Sequence, residues 1–186
     1  MISNNKIGIL GSGAWGTALA NCLNKKENIL LWSYENKTVE NINKYKINKT
    51  FLPKIKLSRN IVATNNLADF KDCKFIFICI PSQFIKKVIL KFKKFYKKEM
   101  IFINCSKGIE HDTKSLISDL IKKTLPKSRV AILSGPSFAI EVAKNKPTAV
   151  TIASKNELEA KKLAKLINSI NFRCYYSNDV IGVQFG

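Results

Sequence analysis

Histidine and arginine are nearly missing from this chain. His111 is the single histidine in 186 residues, and only Arg59, Arg129 and Arg173 among the 32 basic residues are arginines. Cys22, Cys73, Cys79, Cys105 and Cys174 include no C-x-x-C pair. With one histidine beside them, no metal site of zinc-cluster spacing is expected. Their odd number argues against a closed disulfide framework, and reduced thiols buried in a cytoplasmic protein are expected instead. No apolar run reaches the ~18 residues of a membrane span. Met1 to Lys6 is polar and leads directly into an apolar run, which is not the layout of a signal peptide. Five prolines and eight glycines exclude a collagen and a Pro/Gly-rich low-complexity chain. The scarcity of arginine argues against a specific nucleic-acid face, which draws on the bidentate guanidinium.

What is present belongs to an ordinary globular protein: 46% hydrophobic, 24% charged and 10% aromatic residues. The length suits one large domain or two small ones and is enough to bury a core. The net charge of +19 is carried almost wholly by lysine, and asparagine and isoleucine are abundant with it. Their joint rise reads as proteome-wide compositional drift, although such a surface attracts polyanions at low salt.

Short β-branched runs alternate with longer helical segments. Strands are expected at Lys6–Leu10, Ile29–Trp32, Ile61–Thr64, Phe75–Ile80, Met100–Cys105, Val130–Ser134 and Ala149–Ala153. Phe75–Ile80 is wholly apolar, as in a strand buried on both faces of a parallel sheet. Helices are expected at Ala14–Asn24, Gln83–Tyr96 and Thr113–Leu125, and from a capping box at Ser154–Glu157 to about Ile167. Lys37–Lys56 reads as a helix followed by a loop near Pro53. In Gln83–Tyr96 and just beyond it, seven lysines from Lys86 to Lys98 fall within one arc of about 160°. Leu90 is the apolar exception among them. This is the wet face of a helix covering a sheet; a basic membrane-surface helix has the same pattern. The alternation argues for an α/β, Rossmann-type doubly wound, mostly parallel sheet with helices on both faces.

Gly11-Ser12-Gly13-Ala14-Trp15-Gly16 follows the first strand and opens the first helix, the context in which G-x-G-x-x-G is informative. Gly11 permits the tight turn, Gly13 leaves room for a pyrophosphate, and Gly16 lets the helix sit close to the sheet. The helix N-terminus offers free N–H groups to the phosphates. At the end of the second strand, Ser33 and Tyr34 occupy the tip that contacts the adenosine ribose, with Glu35 slightly beyond. Lys37 is placed to meet a 2′-phosphate and Tyr34 to stack on adenine, so NADH and NADPH both stay open. Ile80-Pro81-Ser82, Asn104–Gly108 and Ser134–Ala139 are polar turns at three further strand ends, where open α/β sheets bind ligands. Lys107 follows an apolar strand and would carry its ammonium into that cleft.

Five ordered motifs, Gly11–Ala20, Thr50–Pro53, Ser106–Gly108, Ser134–Ala139 and Tyr176–Gln184, resemble the bacterial NAD(P)-dependent glycerol-3-phosphate dehydrogenases over essentially the whole chain. The resemblance implies reversible hydride transfer between NAD(P)H and dihydroxyacetone phosphate, giving sn-glycerol 3-phosphate for phospholipid synthesis in the cytoplasm. It implies cofactor contacts at Gly11, Ser12, Gly13, Ala14, Trp15, Gly16, Tyr34, Lys107 and Ala139. It implies substrate contacts at Lys107, Gly135 and Ser137. The full-length enzymes it points to are homodimers with no specific nucleic acid and no membrane insertion. Residues 1–178 are then the dinucleotide-binding domain, and residues 179–186 begin a helix linking to an all-helical substrate domain. The family's catalytic lysine falls beyond Gly186, so no residue here is assigned as catalytic. Two other readings stay open. One is a dinucleotide-binding module without catalysis of its own. The other is a basic RNA- or membrane-associated protein, which predicts salt-sensitive binding indifferent to NADPH; no RNA-binding motif supports it.

Overall fold

Ile76, Phe77 and Ile78 follow one another along one strand, and none has accessible surface; the same holds for Phe102 and Ile103 on its neighbour. Successive strand side chains point to opposite faces, so such runs require a sheet covered on both sides. The computed structural model describes residues 6–23, 28–110 and 113–185. The residues before Lys6, the expected helix end at Asn24, His111 and Gly186 lie outside them.

In chain order the elements are β1 (Lys6–Leu10), α1 (Ala14–Leu23), β2 (Ile29–Trp32), α2 (Asn36–Tyr45), β3 (Ile47–Asn48), β4 (Leu52–Lys56) and β5 (Ile61–Thr64). After a 3-10 segment at Leu67–Asp72 come β6 (Cys73–Ile78), α3 (Ser82–Phe92), β7 (Ile101–Asn104), α4 (Ile117–Thr124) and β8 (Arg129–Ser134). The last are α5 (Ala139–Ala143), β9 (Thr148–Ala153), α6 (Glu157–Ile167), β10 (Phe172–Ser177) and α7 (Val180–Phe185). Eight strands form one sheet in the order β10-β9-β8-β7-β6-β1-β2-β5, and β3-β4 is a separate antiparallel pair. All neighbours in the large sheet are parallel except β8 and β9. The chain order reverses between β1 and β6, which makes their carboxyl ends the switch point of the sheet. Two buried clusters lie on its two faces. One gathers Ile9, Phe77 and Ile103 under α1 and α6. The other gathers Leu10, Ile76, Ile78 and Phe102 under α3 and α4. The doubly wound architecture expected from the sequence is therefore observed.

Several local expectations shift. α4 begins four residues later than the expected Thr113, because Thr113 and Lys114 are held out of the helix. Glu110 accepts hydrogen bonds from Thr113 N at 2.7 Å and Thr113 Oγ1 at 2.6 Å, and Lys114 has a left-handed φ of 53°. The cap of α6 moves by two residues. Asn156 Oδ1 accepts from Glu159 N at 3.0 Å, while Ser154 Oγ bonds the Glu159 carboxylate instead. The stretch expected as a loop near Pro53 forms the β3-β4 hairpin. On α7, Val180 and Gln184 are buried while Ile181 and Phe185 are exposed. Gln184 Oε1 accepts from Ser118 N at 3.1 Å, so α7 supplies the cap that the start of α4 lacks locally.

Candidate functional site

The ladder carries the strand ends to a common level. Leu10 pairs with Trp32 and with Ile78, Ile78 with Asn104, and Asn104 with Ile132. Beyond it, Gly11 N donates to Trp32 O at 3.1 Å, Cys79 N to Leu10 O at 2.8 Å, and Cys105 N to Ile78 O at 2.9 Å. The chain then leaves the sheet at each strand end, and the turns enclose a cleft of about 870 Å³.

The glycine turn forms one wall, and its three glycines have three different surroundings. Gly11 has a φ of +114°, and a Cβ there would stand 2.4 Å from Cys79 O. A Cβ on Gly16 would stand 1.9 Å from Gly11 O. A Cβ on Gly13 would meet nothing within 4 Å. Gly11 and Gly16 thus serve the turn and the helix approach, while the space over Gly13 is open for a ligand. The turn is also held from behind. Asn48 Nδ2 donates to Ser12 O at 2.7 Å and to Thr17 Oγ1 at 2.8 Å, Thr17 Oγ1 donates to Ser12 O at 3.0 Å, and Asn48 Oδ1 accepts from Phe51 N at 3.1 Å. Asn48 and Thr17 are fully buried, so this polar group is satisfied within the protein.

The other wall comes from the turns after β6, β7 and β8. Ser106 Oγ donates to Ile80 O at 2.6 Å and so ties two of these turns together; Asn104 holds Ser106 through its N–H at 3.2 Å and its carbonyl at 3.0 Å. Cys79 and Cys105 lie at the cleft floor. Burial, with a hydrogen bond to Cys79, holds the Cys105 thiol well above its ordinary range. Burial likewise pushes Cys174, away from the cleft, up to about 12. Both are protonated at neutral pH and are not nucleophiles.

Of the site residues expected from the sequence, Gly11, Ser12, Gly13, Ala14, Trp15, Tyr34, Lys107, Gly135, Ser137 and Ala139 all line this one cleft. Gly16 lies beneath it, against the Gly11 carbonyl. Lys37, on α2, does not line it. Two lysines from the expected wet face of α3, Lys87 and Lys91, do line it, together with Phe84 and Val88 of the same helix. Trp32, Leu67 and Phe51 complete the apolar lining. These were not foreseen, since their apolar character suits a core equally well. As whole residues Cys73 and Cys174 are buried, while Cys22, Cys79 and Cys105 keep some exposed surface, although the Cys105 thiol itself is withdrawn from water.

The model of the NAD-dependent glycerol-3-phosphate dehydrogenase N-terminus matches residues 6–160. The chain belongs to this family. It is 40% identical over 186 residues to glycerol-3-phosphate dehydrogenase [NAD(P)+] of Citrifermentans bemidjiense, covering 97% of this chain and 56% of that protein. It is 37% identical to the Maricaulis maris protein of the same name, covering 100% and 56%. The crystal structure of glycerol-3-phosphate dehydrogenase from Coxiella burnetii superposes with a TM-score of 0.92 at 34% identity, over 97% of this chain and 56% of that one. The chain thus spans about half the length of these relatives. The open space over Gly13 fits a dinucleotide of the kind the family's name implies. Among the described residues, no helix is long and apolar enough to cross a membrane.

Proposed function

We propose that the cleft holds NADH or NADPH, and that this chain is the dinucleotide-binding part of a cytoplasmic enzyme interconverting dihydroxyacetone phosphate and sn-glycerol 3-phosphate for glycerophospholipid synthesis. The observation that carries this reading is the contrast among the three glycines: two packed against backbone, and the middle one open at the switch point. The loop and the start of α1 bind the pyrophosphate through backbone N–H groups. When bound, the dinucleotide supplies the hydride chemistry. Lys107, exposed at the end of β7, brings a cation to the same cleft for the cofactor and an anionic substrate. Gly135 and Ser137 border the substrate from the turn after β8, and Ala139 borders the cofactor. A cation placed there also stabilises an alkoxide as it forms. The full-length assembly is read as a homodimer, with no specific nucleic-acid partner and no membrane insertion.

Both tryptophans of the chain, Trp15 and Trp32, line the cleft. Energy transfer from tryptophan to the reduced nicotinamide therefore reports occupancy. Titration with NADH and with NADPH should give saturable transfer. The absence of transfer with both dinucleotides would overturn the proposal.

A further inference from the structure

At the end of β2 a chain of hydroxyls has its direction fixed. Ser12 Oγ donates to Ser33 Oγ at 2.7 Å, and Ser33 Oγ donates to Glu35 Oε2 at 3.0 Å. A hydroxyl carries one proton, so donors run one way, from the glycine turn to the carboxylate. Ser33 is fully buried and Ser12 almost so. Ser33 is fixed in turn by the sheet, its N–H donating to Thr64 O at 2.9 Å. One oxygen of Glu35 is thus anchored to a rigid hydroxyl. The second oxygen carries neither of these bonds, and Glu35 lines the cleft.

We infer, resting on the reading of the cleft given above, that Glu35 makes this chain select NADH over NADPH. A dinucleotide whose pyrophosphate lies over Gly13 carries its adenosine ribose to the end of β2. The two cofactors differ only at the 2′ position of that ribose. A 2′-hydroxyl donates to the carboxylate, which can only accept. A 2′-phosphate is itself an anionic acceptor, so it meets Glu35 with like charge and no proton to share. The residues around it do not reverse this. None of the three arginines, whose planar fork suits a phosphate best, lines the cleft. Tyr34 offers an exposed ring, edge-on to Trp32 at 6.5 Å, which suits adenine. Lys87 and Lys91 enter from α3 on flexible stems and provide a general positive field that both pyrophosphates share.

The test is a pair of titrations, with thermal stabilisation by each dinucleotide as a second readout. NADH should bind at least about tenfold more tightly than NADPH, the equivalent of ~1.4 kcal/mol and the low end for a hydrogen bond to a charged group. Glu35→Gln keeps the shape and removes the charge, and should bring the ratio close to one. Glu35 is exposed, so the variant should fold like the parent. Ser33 is a positioning residue: Ser33→Ala should lower the ratio of NADH to NADPH affinity, a shift that general destabilisation would not produce. Lys87→Ala with Lys91→Ala should weaken both equally. NADPH binding as tightly as NADH, an unchanged ratio in Glu35→Gln, or a selective loss of NADPH in the lysine variant would each overturn the inference while leaving the cleft reading intact. Failure of both dinucleotides to bind would overturn the cleft reading itself.

Discussion

One added methyl group at Gly13 and at Gly16 should produce opposite defects. At Gly13 the new Cβ meets no protein atom within 4 Å. The Gly13 carbonyl accepts from Thr17 N at 3.0 Å, so the residue sits at the entry to α1. Gly13→Ala then costs little more than the difference between two entry residues, under about 1 kcal/mol. In a chain of this size that moves the melting midpoint by roughly 2–4 °C. The methyl instead occupies the space over which a pyrophosphate would pass, and NADH affinity should fall at least about tenfold. At Gly16 the same methyl would stand 1.9 Å from Gly11 O and 3.1 Å from Cys79 Cβ. A backbone oxygen cannot rotate away, so α1 must lift from the strand end. Overpacking of this kind costs about 1–3 kcal/mol or more, which corresponds to a midpoint loss of roughly 2–12 °C. The assay is thermal unfolding of each variant beside an NADH titration. Unchanged NADH affinity in Gly13→Ala would refute the placement of the pyrophosphate. An unchanged midpoint in Gly16→Ala would refute the close approach of α1 to the turn.

Two further outcomes follow from buried groups. Asn48→Ala removes donors and an acceptor from a buried network and leaves Ser12 O and Phe51 N short of a partner; it should cost about 1–3 kcal/mol and weaken NADH binding, read by denaturant unfolding and titration. The Cys174 thiol is raised to about 12 from an ordinary 9.0 because burial favours its neutral form. Its contribution to stability is therefore complete below pH 9 and is lost as pH rises towards 12, by up to about 1.4 kcal/mol per pH unit. Between pH 8 and 10.5, Cys174→Ala should lose stability less steeply than the parent, whatever its starting midpoint; parallel slopes would remove the titration from the account.

The sheet was legible because its central strands are long unbroken apolar runs, and the glycine turn because it falls between one such run and a helix. The end of β6 shows where that legibility stops. The run Phe75–Ile80 was expected as strand throughout, but pairing ends at Ile78 opposite Asn104, and Cys79 and Ile80 form the cleft floor. Hydrophobicity cannot separate the two roles. β10 was missed for the opposite reason. Phe172 and Cys174 point in while Arg173 and Tyr175 point out, a half-covered edge pattern without an apolar run. The β3-β4 hairpin gave less signal still. Its key residue is an asparagine, and a buried asparagine reads as a loop residue until its partners are known. In the cleft, small and charged residues at strand ends were recognisable. The apolar lining from Trp32, Leu67 and Phe84 was not, since these residue types fill cores and clefts alike.

The hairpin gives the glycine turn something its own sequence cannot supply. Both Thr17 Oγ1 and Asn48 Nδ2 donate to Ser12 O, which turns that carbonyl towards the protein interior. In a trans peptide the carbonyl and the following N–H point in opposite directions. Fixing Ser12 O therefore also fixes Gly13 N–H on the side away from Asn48. A glycine turn is otherwise the most conformationally free kind of backbone, and ordering it on binding would subtract from affinity. Here the ordering is done during folding, by a buried amide contributed from residues 31 positions further along than Thr17. The same logic extends to Ser33, whose hydroxyl links Ser12 to Glu35 across the first two strands. Phosphate-side and ribose-side groups are thus parts of one hydrogen-bonded frame. A change at Asn48 should accordingly reach dinucleotide affinity without Asn48 lining the cleft.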